Sequence, residues 1–364
     1  MTKKNPDIPR RRLGEGEGFE ALEPIDITKT TTISELIQAM ARTSFGGRRI
    51  GEAADVLVEM IQDQDCFRVL TLAGAMTVAK QSLVICEMIE RGWIHAIVST
   101  GALICHGVIE GQGMKHFKQP KPSEWSDEEL FLEGYNRVYD TLEPEANFAR
   151  VEDLVQSFLF KMREDRTDFP MLLSSFEFCN LLGKHLAELD EKGRGILKSA
   201  YNHDVPIYIP AFTDSELGLD FLLENLVRVQ DRVDQIHEIV PFHDFDFLIH
   251  PIRDLWDYMR RALASKKLGI ITIGGGVPRN WAQQVGPMTE ILTNRTKWHF
   301  GTKKFAYGVR ICPEPDHWGG LSGCTYKEGI SWGKFEPDAK TAEVLTDATI
   351  ALPLLVRAVM ERLE

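Results

Sequence analysis

The sequence predicts a doubly wound α/β fold, a mostly parallel sheet with helices on both faces. Three observations predict it. Apolar runs of strand length alternate with longer helical patterns from about residue 45 to the end. The runs are apolar nearly throughout, as strands covered on both faces are. Several run straight into Gly, Ser, Thr or Asp, residues suited to a strand-to-helix turn.

The elements follow in order. The first 25 or so residues are rich in Pro, Gly and charge and read as a loose arm, taken as residues 1–30, ahead of a single domain over 31–364. "IGEAADVLVEMIQ" is an amphipathic helix and "CFRVLTLAG" a buried strand. "MTVAKQSLVICEMIERG" reads as a helix with a Gly stop, and "IHAIVSTG" as the next strand. Residues 111–127 are polar and rich in Pro and Lys, an excursion from the α/β rhythm. A capping box, Ser126 to Glu129, then opens "SDEELFLEGYNRVYD". Helical patterns dominate 150–203. "VPIYIPAF" is a strand followed by the helix "SELGLDFLLENL", and "LGIITIGGG" a strand followed by the helix "RNWAQQVGPMTEIL". "KKFAYGVRI" and "AEVLT" are further strands, and the apolar helix "ATIALPLLVRAVMERLE" closes the chain. The whole is Rossmann-like.

Composition narrows the function. Of 364 residues, 43% are hydrophobic and 26% charged, enough for a sizeable core. A net charge of −12 disfavours nucleic acid and anionic membranes as partners. No run of about 18 apolar residues suggests a membrane span. The six cysteines form no C-x-x-C pair, which points to reduced thiols in a cytoplasm. His237, His243 and His250 lie near Asp244 and Asp246 without tight ligand spacing, so no metal is expected.

In an open α/β sheet, ligands bind beyond the carboxyl ends of the strands. Those ends read "LAGAM" with Gly74, "STGAL" with Thr100 and Gly101, "PAFTDSELG" with Asp214, "GGGVPRN" with Gly275 and Gly276, and "TDAT" with Asp347 and Ala348. Such residues admit a phosphate close to the backbone. "GGGVPRN" is equally compatible with a plain tight turn, and either Asp with a simple N-cap. Lys334 stands in "GISWGKF" between Trp332-Gly333 and Phe335. It is either a solvated loop lysine or an amine desolvated for nucleophilic chemistry, with Trp332 and Phe335 as its apolar wall and Glu328 handling protons. Trp332 also suits cation–π contact with a ligand ammonium.

Together these segments resemble the deoxyhypusine synthase family. The likeness rests on "GLSGCTYKEGISWGKFEPDAKTAEVLTDATIALPLL", "VSTGALICHGVIE", "YNRVYDTLEPEANFARVEDLV", "VPIYIPAFTDSELG" and "IITIGGGVP", in order over residues 35–360. The resemblance implies an NAD-dependent transfer of an aminobutyl group. It leaves a spermidine-like polyamine, passes through a lysine imine, and reaches an acceptor amine. The acceptor is a lysine of a translation initiation factor in deoxyhypusine synthases and putrescine in homospermidine synthases. It further implies a homotetramer with sites shared between subunits.

By motif, Lys334 matches the imine-forming lysine, and Trp332 and Glu328 the substrate pocket. Thr100, Gly101, Asp214, Gly275, Gly276, Asp347 and Ala348 match the dinucleotide segments. Asp220 and Glu328 are the candidate carboxylates for polyamine charge, with Trp281 and Ser322 on the substrate side. Several positions depart from the pattern the resemblance implies. Cys105 and His106 stand at the family's paired acids, Leu219 at the acid after "SLG", Leu321 at an acid of the eukaryotic enzymes, and Asn280 and Trp281 at their histidine pair. His106 is read either as a substitute acid/base or as a hydrogen-bonded structural residue. The altered acids favour a small-amine acceptor. An amine oxidoreductase without transfer and a catalytically silent polyamine-binding homologue are the competing readings.

Overall fold

The computed structural model describes residues 16, 18–119, 125–164, 168–190, 192–230 and 240–364. Most of the predicted arm, and His237, lie outside the described residues. Of the arm's remainder, Glu23 donates its backbone N–H to Arg42 O and pairs with the Arg42 side chain.

Six strands build the central sheet: β1 (Cys66–Leu72), β2 (Ala96–Ser99), β3 (Ile207–Tyr208), β4 (Lys267–Ile273), β5 (Phe305–Ile311) and β6 (Phe335–Val344). All pair in parallel, in the order β3-β2-β1-β4-β5-β6. The chain therefore walks outward from β1 to one edge, returns to the middle, and walks to the other edge. That reversal makes the crevice between the ends of β1 and β4 the topological switch point.

Side chains alternate across the sheet. Leu70, Leu72, Ile97, Ile271, Ile273, Val309 and Ile311 join one buried cluster. The helices Phe45–Gln62, Ser82–Glu90, Gly101–Gly111 and Ala348–Leu363 cover it through Leu57, Ile85, Ile104 and Leu355. Val69, Val98, Leu268 and Ile270 face the other way, into a second cluster under the helices Pro251–Ala264, Gly276–Gln283 and Val285–Arg295. The doubly wound arrangement is as the apolar runs predicted.

The excursion after residue 111 is a separate three-stranded antiparallel sheet of Phe117–Lys118, Tyr135–Val138 and Thr141–Pro144. The Ser126–Glu129 capping box starts the helix Asp127–Leu132, with reciprocal hydrogen bonds in place. The helix expected from Met76 begins only at Ser82, and the strand expected at "AEVLT" already begins at Phe335. Two further elements differ from expectation. "VPIYIPAF" yields only Ile207–Tyr208 as strand, because the Ile209 N–H turns to Ser175 Oγ at 2.8 Å instead of extending the ladder. "RNWAQQVGPMTEIL" is two helices meeting at Gln284, with Pro287 in the first turn of the second, where its missing N–H costs nothing.

Candidate functional site

At the switch point the chain offers backbone with nothing over it. Gly74, just beyond β1, has φ +79°, and Gly276, just beyond β4, has φ +62°. No atom lies within 4 Å of a Cβ built at either. Any other residue would be strained there and would fill the space. Gly275 is needed for a different reason: a Cβ on it would lie 2.6 Å from Ser322 Cα, so the loop after β5 closes directly onto this turn. Thr100 stands at the N-cap position of the helix Gly101–Gly111 after β2, without a side-chain capping hydrogen bond, and Gly101 packs against Ser215, the N-cap of the helix Glu216–Val229 after β3. Helix N-termini and open glycines at a switch point suit an anionic dinucleotide. The residues present thus fit the NAD that the sequence led us to expect.

The helix opened by Gly276 connects this crevice to the lysine. One turn on, Asn280 Oδ1 accepts a hydrogen bond from Lys334 Nζ at 2.8 Å. Lys334 owes its position to a short helix, Tyr326–Ser331, which Thr325 caps by accepting from the Glu328 N–H. The helix ends in a Schellman motif. Gly333, at φ +68°, donates to Ile330 O, and Lys334 donates its backbone N–H to Gly329 O. The next residue begins β6, so the glycine reverses the chain and sends the lysine side chain back over the helix end.

Lys334 lines a cavity of about 600 Å³ with Asn280, Leu321, Cys324, Glu328, Trp332 and Asp316, among others. Its amine is half-buried, and burial pushes its pKa below the ordinary lysine value. The Arg279 guanidinium pushes the same way, while Cys324 and Glu328 oppose. Burial likewise raises the Cys324 thiol. Trp332 is 64% exposed, with Lys334 Nζ 6.0 Å from its ring centroid, the outer limit of a cation–π contact.

Two fully buried arginines hold this loop. Arg279 donates to the carbonyls of Leu321 and Cys324, both at 2.6 Å. Arg310, on β5, donates to Ser322 O at 2.6 Å and to Cys324 O at 3.0 Å, and pairs with Glu343 on β6. Glu343 in turn accepts the Tyr326 N–H at 2.8 Å, fixing the start of the lysine-bearing helix. Sequence reading missed this frame, and it missed Cys324 and the partnership of Asn280 with Lys334. A buried arginine has no local sequence signature.

The remaining expected residues divide. Asp347 is the N-cap of Ala348–Leu363 and accepts from Thr349 N at 2.7 Å. Asp214 is exposed, because Ser215 does the capping instead. Ser322 sits against Gly275 between crevice and cavity. Trp281 packs with Tyr208 and Tyr258, ring centroids 5.5 and 5.1 Å away, and does not line the lysine cavity. Asp220 is also outside that cavity, on the helix Glu216–Val229. Burial, then the charges of Glu152 and Glu216, raise its carboxyl to about 7. His106 lies on Gly101–Gly111, 3.3 Å from Glu143 Oε2 and edge-on to Phe148, and again not in the lysine cavity of the same chain. Burial pushes the Glu143 carboxyl up, but His106, His116 and Asn147 outweigh it and hold it at about 2.

Crevice and cavity define a doubly wound α/β protein with a phosphate-tolerant cradle at its switch point and a half-buried amine one helical turn away. The comparisons with known proteins are more specific. The family profile described as deoxyhypusine synthase matches residues 35–359, and the chain belongs to that family. "Probable deoxyhypusine synthase 2" of Methanosarcina acetivorans is 33% identical over 339 residues, 93% of this chain and 89% of that one. "Deoxyhypusine synthase-like protein" of Chlorobaculum parvum is 30% identical over 337 residues, 92% and 88% of the two chains. A crystal structure from Entamoeba histolytica, described as a candidate deoxyhypusine synthase, shares the fold at a TM-score of 0.59 and 14% identity, covering 93% of this chain and 97% of that one. Family membership implies aminobutyl transfer from a polyamine. Among the described residues no helix is long and apolar enough to cross a membrane.

Proposed function

We propose that this chain is an NAD-dependent aminobutyl transferase that works through Lys334 and delivers the group to a small amine. The observation that carries the reading is the half-buried Lys334 amine, hydrogen-bonded to the neutral amide of Asn280 in a cavity that Glu328 also lines. An ordinary lysine, of pKa about 10.4, needs roughly 4.6 kcal/mol to present a neutral amine at pH 7, and each unit of depression removes about 1.36 kcal/mol of that.

Gly74, Thr100, Gly101, Asp214, Gly275, Gly276, Asp347 and Ala348 would hold NAD, which supplies a hydride acceptor for the donor amine and returns the hydride to the product. The neutral Lys334 Nζ attacks the substrate imine carbon, and the C–N bond to the departing diamine breaks. The four-carbon unit is left as an imine on Lys334. Asn280 accepts from the ammonium and orients it without adding a charge that would fix the proton. Glu328, which lines the same cavity, would receive the proton shed by Lys334 and pass it to the leaving amine. An acceptor amine then displaces Lys334, so the sequence of steps is redox-neutral. Leu321 and Asn280 make this cavity less charged than the eukaryotic pattern that the resemblance implies, which favours a small amine such as putrescine over a protein lysine. The acidic group around Asp220 lies outside the Lys334 cavity of its own chain, and a second copy in a homotetramer would supply it.

Incubating the protein with NAD and spermidine, with and without putrescine, then reducing with borohydride, tests this. A four-carbon adduct mapped to Lys334 by mass spectrometry is expected, with homospermidine formed when putrescine is present. NAD reduction without any Lys334 adduct would overturn the transfer mechanism.

A further inference from the structure

A second polar centre lies outside the lysine cavity and is not used by the proposed reaction. Glu143, on the strand Thr141–Pro144, has a side chain with no exposed surface. Two imidazoles converge on one of its oxygens: His106 from the helix Gly101–Gly111, and His116, immediately before the strand Phe117–Lys118. The His116 side chain is 1% exposed and that of His106 13%. One nitrogen from each ring and a carboxylate oxygen lie within 4.8 Å of one another. His116 Nε2 touches Glu143, yet it is buried and has no hydrogen bond of acceptable geometry. The other Glu143 oxygen is held by Asn147 Nδ2, which also donates to Lys115 O at 3.1 Å.

We propose that His106, His116 and Glu143 form a binding site for a divalent transition-metal ion of the zinc class. The donor set is two imidazole nitrogens and one carboxylate oxygen, which suits zinc, cobalt or iron and is too nitrogen-rich for magnesium or calcium. Three protein ligands leave one position for water or a ligand atom. Asn147 fixes the carboxylate from behind, as outer partners of metal ligands do. The ion would tie the three-stranded excursion sheet to the helix whose N-terminus, at Thr100 and Gly101, meets the cofactor crevice. This site is distinct from the loosely spaced His237, His243 and His250.

Lys80 sharpens the claim. Its Nζ lies 2.7 Å from His116 Nδ1, which must then accept, leaving the ring proton on Nε2. A metal on Nε2 requires that proton on Nδ1, so metal and Lys80 compete for the tautomer. Lys80 has an alternative partner in Glu110, 4.0 Å away.

The full chain, stripped with chelator, reloaded with zinc and gel-filtered, is expected to retain one metal per chain. Cobalt(II) in its place is expected to give a visible d–d band without thiolate charge transfer, because no cysteine is in the ligand set. His116→Gln or Glu143→Gln should lose both signals, and Lys80→Gln should tighten zinc binding about 10-fold in a chelator competition. Wild-type protein that retains no more zinc than His116→Gln and gives no cobalt band overturns the site. If the ligand variants fail to fold, the wild-type cobalt spectrum and the Lys80→Gln affinity decide alone: no band, or weaker binding, refutes it.

Discussion

Replacing Asn280 by Asp puts a carboxylate where Lys334 Nζ now meets a neutral oxygen at 2.8 Å. The change is nearly isosteric, so it alters charge and little else. Unit charges about 4 Å apart attract by roughly 4 kcal/mol at an effective dielectric of about 20. Water reaches this half-buried cavity, and halving the value gives about 2 kcal/mol, or about 1.5 units of pKa at about 1.36 kcal/mol per unit. The Lys334 pKa should rise by that amount, and below it the neutral fraction should fall about 30-fold. Competitive acylation of the protein across pH, with labelling at Lys334 read by mass spectrometry, measures the shift without any assumption about substrate. Asn280→Leu serves as the neutral control and should leave the lysine depressed, since burial is the largest cause of its shift. Equal titration of Lys334 in wild type and Asn280→Asp would refute the electrostatic argument. A wild-type lysine titrating near the ordinary 10.5 would refute its desolvation.

Other substitutions test the frame and the crevice. Gly276→Val should abolish NAD binding in a fluorescence titration, with Tm lowered by a few degrees, because it strains a positive φ and fills the open space; unchanged NAD affinity would remove this turn from the cofactor site. Arg310→Met strands Glu343 and should cost about 3–5 kcal/mol in urea unfolding; pairing it with Glu343→Leu should recover much of that, and equal losses would deny the buried pair its role. Asp220 keeps its proton in the folded chain up to about pH 7, whereas its ordinary value is 3.8. The unfolded chain releases that proton first, so this stabilisation falls as pH rises between those values and is gone above them. Asp220→Asn should therefore raise Tm at about pH 8 and make little difference at about pH 4; an equal gain at both would show that the carboxyl is not perturbed.

The sheet was legible because a strand buried on both faces must be apolar, and β1, β4 and β5 are, for nearly their whole length. Its order was not, since nothing local in "CFRVLTL" or "LGIITI" says which strand lies beside which. The glycine-rich run around Lys334 hides a six-residue helix because intrinsic propensity is a weak prior, overridden here by the Thr325 cap and the Gly333 stop. Trp281 shows a different limit. Asn280 and Trp281 are adjacent in sequence, but on a helix successive residues point about 100° apart. Asn280 therefore reaches Lys334, while Trp281 turns into the aromatic core with Tyr208 and Tyr258. A motif match reads both as site residues, and helical phase separates them.

That separation bears on which amine the cavity accepts. Three apolar residues, Leu219, Trp281 and Leu321, stand where the resemblance read from the sequence leads one to expect polar groups. Only Leu321 lines the Lys334 cavity; Leu219 is exposed on the helix Glu216–Val229, and Trp281 is packed in the core. A single chain thus offers an incoming polyamine Glu328 and Asp316 beside the lysine, against an apolar wall from Leu321 and Trp332. The half-buried Asp220, raised to about 7 beside Glu152 and Glu216, is a separate acidic group that gains most from a cation. A polyamine has ammonium groups at both ends, so under the proposed reaction the Asp220 group of a second chain would hold the end far from Lys334. Under the proposed reaction, selectivity would have two handles: Leu321 at the reacting end, and Asp220 with its neighbours at the far end. A substitution at either should change a different part of the amine's affinity, with additive effects if the two groups share no partner.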